Sequence, residues 1–166
     1  MWATIQKVAF RTSINPSSEV AKTAAVLLDD GTVFFPNQEA LSSSAGTDFY
    51  IVVQHRNHLI AMSDGLVSVV SGAINHDFKV ANGYSTAGAG QAEIVPGIWA
   101  LFEGDGNKLS DINGYDINGH DNAKWLVENG LFNVYSQSDF SLDGEVSGLD
   151  RIFWSRNNGA FSAVRK

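Results

Sequence analysis

Cysteine is absent from the 166 residues, which excludes a disulfide framework, a thiolate metal site and a cysteine nucleophile. No apolar run approaches the roughly 18 residues that a membrane-spanning helix needs. Residues 1–11 also lack the charged start, continuous apolar stretch and small-residue cleavage site of a signal peptide. On these grounds the compartment stays open: the chain is either cytoplasmic or a piece of a longer exported protein. Glycine loops followed by Lys-Ser or Lys-Thr, which cradle phosphates, are missing. Gly83-Tyr84-Ser85-Thr86-Ala87-Gly88 misses the spacing of a nucleophile elbow. The carboxylates crowd into turns, whereas a glycosidase pair must face across a cleft with separated proton affinities. The expectation is a protein that is not an enzyme.

What is present is enough apolar content, 44%, for a real core. The net charge of -7 is placed unevenly, because residues 105–150 carry nine Asp and Glu against Lys108 and Lys124. Such a segment repels phosphates, so nucleic acid is not an expected partner. It suits a cation or a basic partner.

Residues 2–11 alternate, with Trp2, Thr4, Gln6, Val8 and Phe10 opposite Ala3, Ile5, Lys7 and Ala9, as in a strand with one better-buried face. Residues 21–28 and 32–35 flank Asp29-Asp30-Gly31, whose Asp-Gly step suits a tight hairpin. Residues 49–55, 66–72, 76–80 and 98–102 are further strand-like runs between Gly, Ser, Asn and Pro clusters. About seven short strands without a long helical period predict an immunoglobulin-like antiparallel β-sandwich over residues 1–102. From residue 103 the composition turns to Gly, Asp and Asn, with short helical segments around 121–128 and 150–157. Residues 103–166 therefore read as a second domain.

The sharpest motif lies in that second part. Asp139, Ser141, Asp143 and Asp150 place side-chain oxygens at positions 1, 3, 5 and 12 of a loop, with Gly144 at position 6. That is the spacing at which a loop like that of an EF-hand holds calcium, a hard cation that takes oxygen ligands. Glu145 would ligate through its backbone carbonyl, Ser147 directly or through water, and Val146 would anchor the loop to a core. The unit is also duplicated. His120 to Gly130 lies over Leu149 to Gly159, matching Asp121 with Asp150, Trp125 with Trp154, and each Asn-Gly step that can end a helix in the left-handed conformation. Upstream, Asp105 and Asn107 match Asp139 and Ser141, but the first loop is five residues longer. Its position 5 is open between Asp111, Asn113 and Asp116, and Asp116 also matches the carbonyl-ligand position. Asp121 closes this loop. Calcium is expected in the second loop, and the first is a possible second site.

A calcium loop followed by only one helix, present twice, resembles the type I dockerin module. Three stretches, Thr23-Ala24-Ala25-Val26-Leu27-Leu28-Asp29-Asp30-Gly31-Thr32, Tyr50-Ile51-Val52-Val53-Gln54-His55-Arg56-Asn57-His58-Leu59 and Trp99-Ala100-Leu101-Phe102-Glu103-Gly104-Asp105, look like a bacterial exported-protein region in which a β-sandwich precedes a dockerin-like pair. The resemblance implies a secreted or cell-surface, calcium-binding interaction and attachment module within a longer protein. Its partner would be a cohesin-like protein or another surface component. The positions matching the family's partner surface are Gly148, Leu149 and Arg151, with Gly119, His120 and Asn122 as their counterparts. Two other roles stay open: a polysaccharide-binding accessory, and a structural cap that calcium only rigidifies.

Trp125 and Trp154, at matched positions, are expected in the core and not on a sugar-stacking surface. His55-Arg56-Asn57-His58 is the most tempting polar cluster of the first part. Strand alternation would send His55 and His58 to opposite faces, which excludes a shared zinc ion and favours strand-end packing or contact with the second part. A ligand contact by Arg56 or His58 also stays open.

Overall fold

Alternation of apolar residues along the first strands builds a sheet that is covered on both sides. The computed structural model describes residues 4–27, 33–34, 48–71, 73–86, 88–108 and 115–166. Strands β1 (Thr4–Arg11), β2 (Glu19–Leu27), β3 (Val33–Phe34), β4 (Tyr50–Gln54) and β5 (Ala61–Met62) form one antiparallel sheet in the order β3-β2-β1-β4-β5. Four strands of two to four residues follow as two hairpins: β6 (Val69–Val70) with β7 (Ala73–Ile74), and β8 (Ala92–Val95) with β9 (Ile98–Ala100). Two helices complete the described elements, α1 (Gly119–Glu128) and α2 (Gly148–Asn157). The class is mainly β with small α, as expected.

Val8, Phe10, Ile51 and Val53 project from one face of the sheet and pack with Phe49, Ala25, Val69 and Ile74, so the β6-β7 hairpin forms a second layer there. Ala9, Val52, Ile60 and Met62 project from the other face, where Val164 and the partly buried Tyr84 and Tyr115 cover them. Strand β1 therefore has two buried faces in its second half, against the expected single one. The cause is the C-terminal segment, held by a parallel bridge between Ala89 and Ser162 and by the bond from Ser162 Oγ to the Ile60 carbonyl at 2.7 Å. Each large aliphatic or aromatic side chain so covered contributes about 1.5–3 kcal/mol of burial.

Two further expectations change. Residues 76–80 form a turn, with Asp77 accepting from the Lys79 amide at 2.8 Å, and are not a strand. The turn expected at Asp29-Asp30-Gly31 lies outside the described residues, although β2 and β3 pair antiparallel on either side of it. The boundary expected near residue 102 is crossed by several contacts: Leu59 N–H to the Phe102 carbonyl at 2.8 Å, Gly104 N–H to the Asn57 carbonyl at 3.1 Å, and Val164 in the sheet core.

Candidate functional site

The two helices start on the same device. Asn118 and Ser147 cap α1 and α2, accepting from His120 N–H at 2.7 Å and Leu149 N–H at 3.2 Å. The third helical residue of each, Asp121 or Asp150, accepts from the cap's own amide at 2.7 Å in both, which completes a capping box. The other oxygen of each aspartate accepts from the loop's third residue, Asn107 N–H at 2.7 Å or Ser141 N–H at 2.8 Å. Each carboxylate thus ties the start of its loop to the start of its helix, and both are fully buried. Burial pushes the Asp121 pKa up against those hydrogen bonds. The hydroxyl of Ser147, expected as a ligand, serves as this cap.

The units are also bound to each other reciprocally. Trp125 Nε1 donates to the Ser147 carbonyl at 2.8 Å, and Trp154 Nε1 to the Asn118 carbonyl at 2.9 Å. Gly130 N–H reaches the Val146 carbonyl at 2.7 Å while Gly159 N–H reaches that of Ile117 at 2.8 Å. Both glycines sit at positive φ, +94° and +95°, which lets the chain leave its helix and return along the other unit's loop. Trp125, Phe140 and Val146 form the shared apolar centre, with Phe153 and Trp154 beside them.

In the second loop, Asp139 is 1% exposed and takes amides from Asp143 at 3.1 Å and Gly144 at 3.2 Å. Gly144, at φ +89°, makes the reversal required at position 6. Ser141 Oγ lies 3.4 Å from Asp139 Oδ1. The carbonyls of Gly144 and Val146 accept from Val134 and Gly130, on either side of Glu145. Because successive carbonyls of an extended segment alternate, that of Glu145 faces the opposite way. Among the described residues no three His, Asp or Glu side chains converge closely enough to hold a metal ion. Asp143 is exposed, with its carboxylate turned back on the Glu145 amide at 2.9 Å. The buried Asp139 and Asp150 carboxylates and the Ser141 hydroxyl are donors of the kind a hard cation takes, while the Asp143 carboxylate accepts from the Glu145 amide.

The first loop differs. Asp105 is fully buried and pairs with the ammonium of Lys108 through Oδ2, while its Oδ1 has no hydrogen-bond partner. Burial, with Asp121 and Asp116 nearby, raises its pKa to about 6 despite Lys108. Asp116 runs antiparallel to Phe161 and accepts from Asn118 Nδ2 at 2.9 Å. Asn107 lies half-buried at the loop's start. Asp111 and Asn113 lie outside the described residues.

Residues 55–58 run between the two loops. Strand β4 ends at Gln54, and the bend that follows brings His55 Nδ1 to within 2.9 Å of His58 Nδ1. The expectation of opposite faces is thereby corrected, since strand alternation stops one residue too early to apply. Burial, reinforced by Arg56 and Lys108, lowers the His55 pKa to about 3 and holds His58 well below its usual value, with the His55 ring also opposing a proton on His58. Arg56 lies 3.9 Å over the Tyr135 ring, donates to the Ser136 carbonyl at 3.0 Å and reaches Asp139 Oδ2 at 3.3 Å. Asn57 Nδ2 donates to the Asp139 carbonyl. Burial raises the Asp139 pKa against the Gly144 amide and Arg56. The bend after β4 therefore meets the second loop at its first residue, Asp139.

Gly119, His120, Gly148, Leu149 and Arg151 are exposed in the first helical turns, and Asn122 is half-buried. Sequence reasoning passed over Lys108, although it is one of only two lysines among nine carboxylates in residues 105–150, which was the available signal. The caps Asn118 and Ser147 were also readable, each standing three residues before an aspartate.

No protein-family model matches this chain. Nor does any curated protein match its sequence. Two solved structures are similar in fold. One is a C-terminal interface mutant of a type II Cohesin-X-Dockerin complex from Acetivibrio cellulolyticus, at TM-score 0.52 and 15% identity, covering 97% of this chain and 84% of that one. The other is an N-terminal interface mutant of the type II complex from the same organism, at TM-score 0.51 and 16% identity, with the same coverage. At such identities the likeness is one of fold, and it extends over both the strands and the helix pair.

Proposed function

We propose that the chain is a non-catalytic, calcium-binding interaction module whose paired loop-helix units present a recognition face to a protein partner. The observation that carries this reading is the reciprocal construction of the two units, in which each helix start is fixed by the other unit's tryptophan. The likeness to chains of cohesin-dockerin complexes supports the same reading, and so does the dockerin-like spacing of the second loop. Asp139, Ser141, Asp143, the Glu145 carbonyl and Asp150 would hold one calcium ion. The ion would supply positive charge to carboxylates that otherwise repel one another, and so add to folding free energy. Arg56 and Asn57 orient Asp139 from outside, while the caps hold the first turns of both helices in place. Gly119, His120, Asn122, Gly148, Leu149 and Arg151 would form the contact surface, with a cohesin-like or other cell-surface protein as partner, in a secreted or surface-attached parent protein.

Among the described residues the exposed aromatic side chains are Phe132, Tyr135 and Phe161, none of them in a strand of the large sheet. A protein partner fits that placement better than a sugar-stacking row does. No helix among the described residues is long and apolar enough to cross a membrane.

Thermal melting with calcium and with chelator tests the metal. Calcium is expected to raise the midpoint of the unit containing Trp125 and Trp154, followed by tryptophan fluorescence, by several degrees. Identical midpoints in the two buffers would remove calcium from the reading. Pull-down from a native secretome, compared between the intact chain and the Leu149→Asp, Arg151→Glu double variant, tests the face. Equal capture by both would remove these residues from it.

A further inference from the structure

We infer that Lys108 is the resident cation of the first loop, seated where a calcium ion would stand, and that the protein binds a single calcium ion, in the second loop. The inference rests on the calcium reading above and divides it between the two copies.

Lys108 belongs to the first loop itself, three residues after Asp105. Its ammonium bonds Asp105 Oδ2 and donates to the His58 carbonyl at 2.7 Å, so one group neutralises the loop's first ligand and ties it to the bend after β4. The lysine side chain is 15% exposed and Asp105 is fully buried, so solvent screens this pair little. Lys108 also lies 5.9 Å from the centre of the Tyr115 ring. A calcium ion ligated by Asp105 would stand beside this ammonium in a poorly solvated place, and like charges at such a distance repel strongly. Of the Asp105 carboxylate, only Oδ1 is left without a hydrogen-bond partner.

The second loop has no such internal cation. Its fourth residue is Leu142, and the positive group near Asp139 is Arg56, which comes from outside and shares its guanidinium with the Ser136 carbonyl and the Tyr135 ring. The Ser141 hydroxyl and the Asp143 amide lie beside Asp139. One copy thus carries its compensating cation within the loop, and the other meets one only from the strand part, through Arg56.

Calorimetric titration of the intact chain with calcium chloride tests this, together with melting in chelator. The wild type is expected to bind one ion. Asp143→Ala is expected to bind it at least tenfold more weakly and to melt unchanged in chelator. Lys108→Met is expected to melt lower in chelator and to bind two ions, whereas Lys108→Arg, which keeps the charge, stays at one. Two ions in the wild type, or in Lys108→Arg, would overturn the assignment of Lys108. No ion in the wild type would overturn the calcium reading itself. If Lys108→Met does not fold, the wild-type and Lys108→Arg stoichiometries still decide.

Discussion

The two loop-helix units agree where backbone is tied and differ where charge is balanced. Both aspartates at the helix starts take a loop amide and a cap amide, at 2.7 and 2.7 Å for Asp121 and at 2.8 and 2.7 Å for Asp150. The first residues of the loops part company: Asp105 meets a lysine of its own loop, and Asp139 meets an arginine from the strand part. Duplication copies a scaffold whose hydrogen bonds have little freedom, while the cation can come from the loop or from a neighbour. A five-residue insertion is tolerated in the first loop because both of its ends are held, at Asn107 and Asn118, by the same carboxylate.

The backbone agreement is the easiest part to break. Asp121→Ala and Asp150→Ala each strand two amides, and each is expected to lower stability by about 2–4 kcal/mol in urea denaturation with chelator present. A silent Asp121→Ala would mean that the first unit is held by something other than its staple.

The junction beside both loops gives the next largest effect. His55 has a folded pKa near 3 against 6.5 in the unfolded chain. Because the folded value is the lower one, its contribution is full above pH 6.5 and is lost as pH falls toward 3. Going from pH 7 to 5 it loses about 2 kcal/mol. Asp105, with a folded value near 6, changes in the opposite sense, since its share is present below the unfolded carboxylate pKa and lost as pH rises through 6. The clean measurement is therefore a difference: His55→Gln should lose less stability than wild type between pH 7 and 5, in metal-free buffer. Parallel pH profiles for the two proteins would place the acid sensitivity elsewhere.

Smallest, and most symmetric, are the indole bonds. Trp125→Phe and Trp154→Phe should each lose about 1 kcal/mol, the worth of one hydrogen bond with most of the packing kept. Unequal losses measured by chemical denaturation would show that one unit carries the other.

Local chemistry made much of this fold legible. The 121–128 and 150–157 segments appear as α1 and α2, each starting two residues earlier because Asn118 and Ser147 cap them. Trp, Asn-Gly and Asp at matched spacing identified the duplication, and Val8 against Phe10 marked a strand face. What escaped was set by distant chain. The second face of β1 is buried by Val164, which no pattern near β1 announces. Residues 76–80 have strand-like composition, but Asp77 binds the backbone two residues on and turns the chain. His55 and His58 meet because β4 stops at Gln54, and Arg56 finds Asp139 only once the two parts close. The spacing of the second loop places an aspartate at position 5, whereas the turned-out carboxylate of Asp143 depends on side-chain rotation that spacing does not encode.

Because each indole donates into the opposite unit's helix start, the two tryptophan side chains are crossed reporters. The Trp125 indole proton senses the beginning of α2 at Ser147, and the Trp154 proton senses the beginning of α1 at Asn118. In a nuclear magnetic resonance spectrum, a perturbation of the second loop would therefore move the signal of the tryptophan that belongs to the first helix. An assignment of effects by sequence position alone would attribute each event to the wrong half.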